Sequence, residues 1–161
     1  MRTEPHPMIE PRRSLWAAAL VGAGVMAAVD EVVFHQLLRW HRFYDLSTPA
    51  VGVVSDGLLH AASLLALIGG FFLLADLLRR GAYGRGHARA GFFVGAGGFQ
   101  LFDGLVDHKV LRVHQVRYVE DLLPYDVAWN LAGVALLVVG AVLWRRARAE
   151  RAGASARSSG P

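Results

Sequence analysis

Two stretches of this chain carry an aspartate, two histidines and an arginine in the same order and spacing. Asp30-Glu31-Val32-Val33-Phe34-His35-Gln36-Leu37-Leu38-Arg39-Trp40-His41 reads D-x4-H-x2-L-R-x-H, and so does Asp103-Gly104-Leu105-Val106-Asp107-His108-Lys109-Val110-Leu111-Arg112-Val113-His114. Every matched residue is displaced by 73 positions, and Gly22 and Gly24 match Gly95 and Gly97 at that offset. A shorter pair, Asp56-x3-His60 and Asp126-x3-Asn130, follows at an offset of 70. Imidazole and carboxylate without thiolate suit Zn, Cu(II), Fe or Mn, and the chain has no cysteine. The candidate metal ligands are His35, His60 and His108, with Glu31, Asp56 and Asp107 as ligands or as partners that orient the imidazoles. Asp30, Asp103, Asp126 and Asn130 support them. His41 and His114 fall six residues beyond the inner histidines, about 9 Å further along a helix, as an outer lip or among headgroups. Copper(I) is disfavoured because Met26 is the only methionine in the apolar runs.

The copies are not identical. Gly104 stands where the first has Glu31, Asp107 where it has Phe34, and Asn130 where it has His60. Any site is therefore asymmetric. Three other chemistries fit the same residues: a haem between His35 and His108, a proton or cation relay through Asp and His, and Asp–His and Asp–Arg pairs that only pin helices together. The last would make the chain a ligand-free structural or assembly partner. Ser55 and Ser63 beside Asp56 and His60 do not form a nucleophile constellation, so hydrolysis is set aside.

The elements that must position these residues are helices in a membrane. The chain has 161 residues, 54% hydrophobic and 19% charged. Uncharged runs at Leu15–Val29, Gly57–Ala75, Ala90–Phe102 and Val127–Trp144 span 15, 19, 13 and 18 residues. A soluble domain of this length cannot bury four of them, and runs near 18 residues read as transmembrane helices. The expected fold is all-α, a four-transmembrane-helix bundle built from two repeated helical hairpins. Spans are placed at 14–38, 55–79, 89–112 and 126–146, giving repeats at about 14–79 and 89–146. Residues 1–13 read as a cytoplasmic arm and 147–161 as a disordered basic tail. The Arg12-Arg13 start resembles a signal peptide, but the internal copy argues for a retained helix.

Charge sets the orientation. Residues 1–14, 79–90 and 145–161 hold 3, 4 and 5 Lys/Arg, against 2 in 39–54 and 3 in 109–125. Arginine-rich short loops stay cytoplasmic, so both termini are expected inside and the motifs at the outer ends of their helices. The net charge of +4 thus reflects topology and not nucleic acid. Trp16 and Trp144 fall at inner ends and Trp40 and Trp129 at outer ends, where indole sits among headgroups. At ~100° per residue, Asp30, Glu31, Phe34, His35 and Leu38 share an arc of about 140°. Asp56 and Asp126 also fit as N-terminal caps of their helices.

At Phe34-His35-Gln36-Leu37-Leu38-Arg39-Trp40-His41, Asp56-Gly57-Leu58-Leu59-His60 and Asp103-Gly104-Leu105-Val106-Asp107-His108 the chain resembles DUF2243, a family of bacterial membrane proteins of unknown function. The resemblance covers roughly residues 14–146. Glu31, Arg39 and Asp103 depart from the family's usual Gly, Gln and Glu. It implies a bacterial inner-membrane location and a setting near respiratory-oxidase assembly proteins, which favours copper or haem handling. It implies no settled activity.

Overall fold

The computed structural model describes residues 8–158. Most of the expected N-terminal arm, with His6, and the last three residues of the tail lie outside the described residues. The fold is all-helical. Helix α1 (Pro11–Val29) continues without a break into a wider segment, Asp30–Leu37, with π-type i→i+5 hydrogen bonding. Helix α2 runs Pro49–Arg79. Helix α3 (Arg85–Leu101) continues into a second π segment, Phe102–Leu111, and α4 runs Leu123–Ser158. The stretch 147–158, expected as disordered, is thus helical. Its Ala, Arg and Glu are strong helix formers, and they prolong α4 past the apolar run.

Helices α1 and α3 form the centre; α2 packs on α1 and α4 on α3. The apolar stretch of α1 is 50% buried, whereas those of α2 and α4 are only 11% and 17% buried. Their exposed faces carry Leu65, Phe71 and Phe72, and Leu131 and Val138, an apolar surface of the kind that lipid covers. Helices α1, α2 and α4 are long and apolar enough to cross a membrane. Helix α3 does not meet that measure. It packs against α1 and α4, and the π segment that prolongs it carries Asp103, Asp107, His108 and Lys109.

The duplication read from the sequence extends to atomic contacts. A Cβ added at Gly22 would lie 2.0 Å from the Phe92 oxygen, and one at Gly95 would lie 1.9 Å from the Ala19 oxygen. Phe92 is Ala19 displaced by 73, so the α1–α3 seam is crossed by a pseudo-two-fold axis. The intra-hairpin contacts repeat as well. Gly24 meets the Ser63 oxygen and Gly97 the Gly133 oxygen, at 3.0 and 2.8 Å from the added Cβ. Gly70 meets Ala17 and Val21, and Gly140 meets Ala90 and Val94. Small residues let backbones approach closely where lipid provides no hydrophobic drive for helix pairing. At the end opposite the motifs, Ser14 Oγ accepts the Gly84 N–H at 2.9 Å, and Arg80 pairs with both Glu10 and Asp76. Arg80, then Arg13, holds the Glu10 carboxyl below its ordinary range.

Candidate metal centre

The π segments answer to the spacing of the motif. In a helix with i→i+5 bonding, residues five apart stand above one another, and D-x4-H places Asp and His five apart. Asp30 thus meets His35, with Oδ2 3.5 Å from Nε2, and Asp103 meets His108, with Oδ2 3.2 Å from Nε2. The face expected from ~100° per residue is re-cut accordingly. Beyond each π segment the chain doubles back. Trp40 N–H donates to the Phe34 carbonyl at 2.9 Å, and Val113 N–H to the Asp107 carbonyl at 3.0 Å. Arg39 and Arg112 adopt left-handed backbone with φ of 52° and 54°, the only non-glycine residues to do so among the described residues. This reversal carries His41 and His114 back over the helix ends. They are buried at 4% and 1% exposure, not a lip 9 Å further out, because the helix on which that distance rests has already ended.

The result is a cluster of four imidazoles and two carboxylates about the pseudo-two-fold axis. The His41 and His114 rings stack at 4.6 Å and 10°. His35 meets His41 edge-on at 4.5 Å, and His108 meets His114 edge-on at 4.5 Å. Each outer-loop histidine reaches across to the other hairpin. His41 Nδ1 donates to the Val116 carbonyl at 2.8 Å, and His114 Nδ1 to the Phe43 carbonyl at 3.0 Å. Val116 is Phe43 displaced by 73. A carbonyl only accepts, so Nδ1 holds a proton in both rings, and in the neutral form of each ring Nε2 is a lone pair. Both lone pairs face carboxylate oxygens, Asp30 Oδ1 at 4.0 Å and Asp103 Oδ1 at 3.3 Å. Nε2 of His35, His41, His108 and His114 is buried without a hydrogen-bond partner among the described residues, as are both oxygens of Asp30 and Oδ2 of Asp103. Burial, with His114 and His35 beside it, pushes His41 from 6.5 down to about 2, so its ring is neutral.

Lone pairs facing carboxylates repel unless a proton or a metal cation lies between them. In a tetrahedral site with metal–nitrogen bonds near 2.0–2.1 Å, neighbouring ligand atoms stand about 3.3–3.4 Å apart. The Nε2–carboxylate separations of 3.2–4.0 Å bracket that spacing. Three sets offer ligand atoms all within 4.8 Å of one another: His35, His41 and His114; Asp103, His108 and His114; Glu31, His35 and Asp56. A cavity of about 190 Å³ reaches His35 and His41 between Arg39, Arg42 and Tyr118. Larger cavities, of about 540 and 410 Å³, surround Trp16 at the other end, far from these groups.

The family described as predicted membrane protein DUF2243 matches residues 17–147, a range that spans both hairpins. The chain belongs to the DUF2243 family. No curated protein and no solved structure matches it.

In this DUF2243 protein the candidates separate clearly. Glu31 and Asp56 stand behind His35, whose Nδ1 lies 2.9 Å from Glu31 Oε2 and 3.2 Å from Asp56 Oδ1. Asp56 is no cap, because α2 starts two turns earlier, at Pro49 after Thr48. Its carboxylate instead takes the Phe43 N–H at 2.8 Å and the Arg42 guanidinium at 2.9 Å. His60 is half-buried, one turn deeper on α2, and belongs to none of the three sets. Asp107 is buried beside the cluster but also outside them. Asp126 is drawn away to Lys109, which stands where the first copy has Gln36. Asn130 donates to the Asp126 carbonyl at 2.8 Å. Trp129 is 6% exposed, not in a headgroup layer, because it closes the cluster from the side, 6.0 Å from the His108 ring and 4.8 Å from Phe34. Arg42 and the carbonyls of Phe43 and Val116 escaped sequence reasoning. Extending the 73-residue register two positions past His41 and His114 would have found the carbonyls.

Proposed function

We propose that this protein is an integral membrane metal-binding protein whose ion is held within the cluster of His35, His41, Asp103, His108 and His114, with Asp30 beside His35 and His41. Glu31 and Asp56 orient His35. The observation that carries the reading is the convergence of four buried imidazole Nε2 atoms, none with a hydrogen-bond partner among the described residues, on two buried carboxylates. Leaving one buried polar group unsatisfied costs about 1–3 kcal/mol, and a metal ion at their meeting point would satisfy several at once. The donor set, imidazole and carboxylate without thiolate, favours Zn, Cu(II) or Fe. His60, Asp107, Asp126 and Asn130 lie outside the ligand set. Haem fits poorly, since the second pair of rings and the two carboxylates fill the space a porphyrin would need.

In this reading both termini lie in the cytoplasm of a bacterial inner membrane and the centre opens on the outer side, an orientation that the arginine-rich loops support. A role accessory to respiratory oxidases rests on family resemblance alone. The competing reading, ion pairs that only pin helices, draws on the His35–Glu31 bond. It would account for the four Nε2 atoms by protons shared with Asp30 and Asp103. Elemental analysis of detergent-purified protein separates the two. The metal reading expects near-stoichiometric metal after reloading. Under about a tenth of an ion per chain would end it, since a preformed site of this kind binds tightly at neutral pH. An absorbance scan without a Soret band would exclude haem in the same sample.

A further inference from the structure

We infer that the groove between α1 and α4, at the end opposite the histidine cluster, is a binding site for one acidic phospholipid. Its phosphate is held by Arg12, Arg148, Arg151 and His87, and its glycerol and upper acyl chain lie against Trp16 and Trp144. The inference is independent of the metal reading, because the two sites share no residue. The groove encloses about 410 Å³, and three helices line it: Arg12 and Trp16 come from α1, His87 from α3, and Trp144, Arg148 and Arg151 from α4. No carboxylate lines it, and Arg12, Arg148 and Arg151 have no ion-pair partner among the described residues. The neighbouring cavity on the α2 side, of about 540 Å³, differs in this respect. There Arg80 pairs with Glu10 and Asp76, and Arg13 with Glu10, so that cavity offers an incoming anion far less free charge.

His87 is the second, independent observation. It is only 8% exposed, it lines the groove, and it makes no hydrogen bond among the described residues. The matching position of the first copy is Ser14, whose hydroxyl is fully used: it donates to the Glu10 carbonyl at 2.9 Å and accepts the Gly84 N–H at 2.9 Å. The second copy thus has a polar side chain at the same place with its partner still to come. Burial, then the charges of Arg151 and Arg148, push His87 below its ordinary range. A neutral imidazole still donates one N–H to a phosphate oxygen. The indoles decide between a lipid and a soluble anion. Trp16 and Trp144 stand at the ends of the apolar runs and are 63% and 40% exposed. Free phosphate would engage the arginines and leave both rings uncovered. A phospholipid covers them as well, at the headgroup level that indole favours. The Arg148 guanidinium lies 5.0 Å over the Trp144 ring, a stacking that leaves the N–H edge of its fork free for phosphate. Basic pockets between membrane helices take anionic head groups in this way.

The test uses the full chain, delipidated in detergent and titrated with phosphatidylglycerol or phosphatidylcholine, with bound lipid counted by native mass spectrometry. One phosphatidylglycerol per chain is expected to bind in preference to phosphatidylcholine. Arg148→Gln with Arg151→Gln should lower that preference roughly 30-fold, at about fivefold per arginine. Arg145→Gln with Arg146→Gln removes the same charge from the same helix outside the groove, and should leave the preference unchanged. Equal losses in the two pairs mean diffuse attraction and overturn the site. Displacement of phosphatidylglycerol by an equal concentration of inorganic phosphate means a site for soluble anions and overturns the lipid. Should the groove variant fail to fold, the unaltered protein decides the matter through tryptophan emission. Phosphatidylglycerol with brominated acyl chains should quench it more than phosphatidylcholine with the same chains, and equal quenching by the two overturns the inference by itself.

Discussion

The seam between α1 and α3 sets the geometry of the centre, and Gly95→Ala tests that dependence. The added Cβ would lie 1.9 Å from the Ala19 oxygen and 2.6 Å from its carbonyl carbon. Ordinary contact begins near 3.4 Å and even a tight one near 3.0 Å, so the backbones must part by roughly 1.0–1.5 Å. Both obstacles are backbone atoms, so no side chain can swing aside. Overpacking of this kind costs about 1–3 kcal/mol. The displacement also reaches the cluster. His41 Nδ1 lies 2.8 Å from Val116 O and His114 Nδ1 lies 3.0 Å from Phe43 O across the same axis. A parting of ~1 Å takes both past hydrogen-bond range, and the tautomers lose their anchor. Gly98→Ala is the control, because an added Cβ there meets nothing within 4 Å. It should be neutral or stabilising by up to about 1 kcal/mol. Gly22→Ala should match Gly95→Ala, and the double variant should lose less than the sum, since one separation relieves both clashes. Thermal unfolding in detergent and Zn(II) stoichiometry report the two effects. If Gly95→Ala were as stable as the parent and bound Zn(II) unchanged, the seam would not govern the centre.

Other outcomes follow from single contacts. Arg42→Met removes the guanidinium that pairs with buried Asp56 and should cost about 1–2 kcal/mol, discounted for the half-exposed arginine; adding Asp56→Asn should recover part of it in a double-mutant cycle. Arg112→Gly places glycine at φ 54° and should raise the unfolding temperature, worth about 1 kcal/mol, with metal binding retained; a lower temperature would mean the arginine side chain matters more than the backbone. Trp129→Ala should cost about 3–5 kcal/mol in unfolding experiments, as removal of a buried aromatic side chain does. Cu(II) should quench tryptophan emission strongly, and Trp129→Phe should remove much of that quenching while Trp16→Phe leaves it intact, because the Trp129 ring lies 6.0 Å from that of His108 and Trp16 lines cavities at the far end.

Much of this molecule is written in one dimension. The apolar runs specify membrane helices because an unpaired backbone polar group cannot be left in hydrocarbon. The 73-residue register identifies a duplicated hairpin, and that symmetry persists down to which glycine faces which carbonyl. The register also marks Asp30, His35, Asp103 and His108 as chemistry-bearing residues. What it leaves open is where His41 and His114 go. Nothing in periodicity announces that the helix widens to i→i+5 at Asp30 and Phe102, or that Arg39 and Arg112 turn left-handed. Those choices depend on contacts between hairpins, such as the crossed bonds from the two imidazoles to Val116 and Phe43. Likewise His60 and Asp126 carry a ligand's credentials in sequence. Helix α2 starts at Pro49 and leaves His60 a turn too deep, and Lys109 draws Asp126 aside. Residue type and spacing decide which groups can do chemistry. Only the closure of two half-sites about one axis decides which of them meet, because that closure is fixed by backbones in contact over sequence separations far longer than any motif.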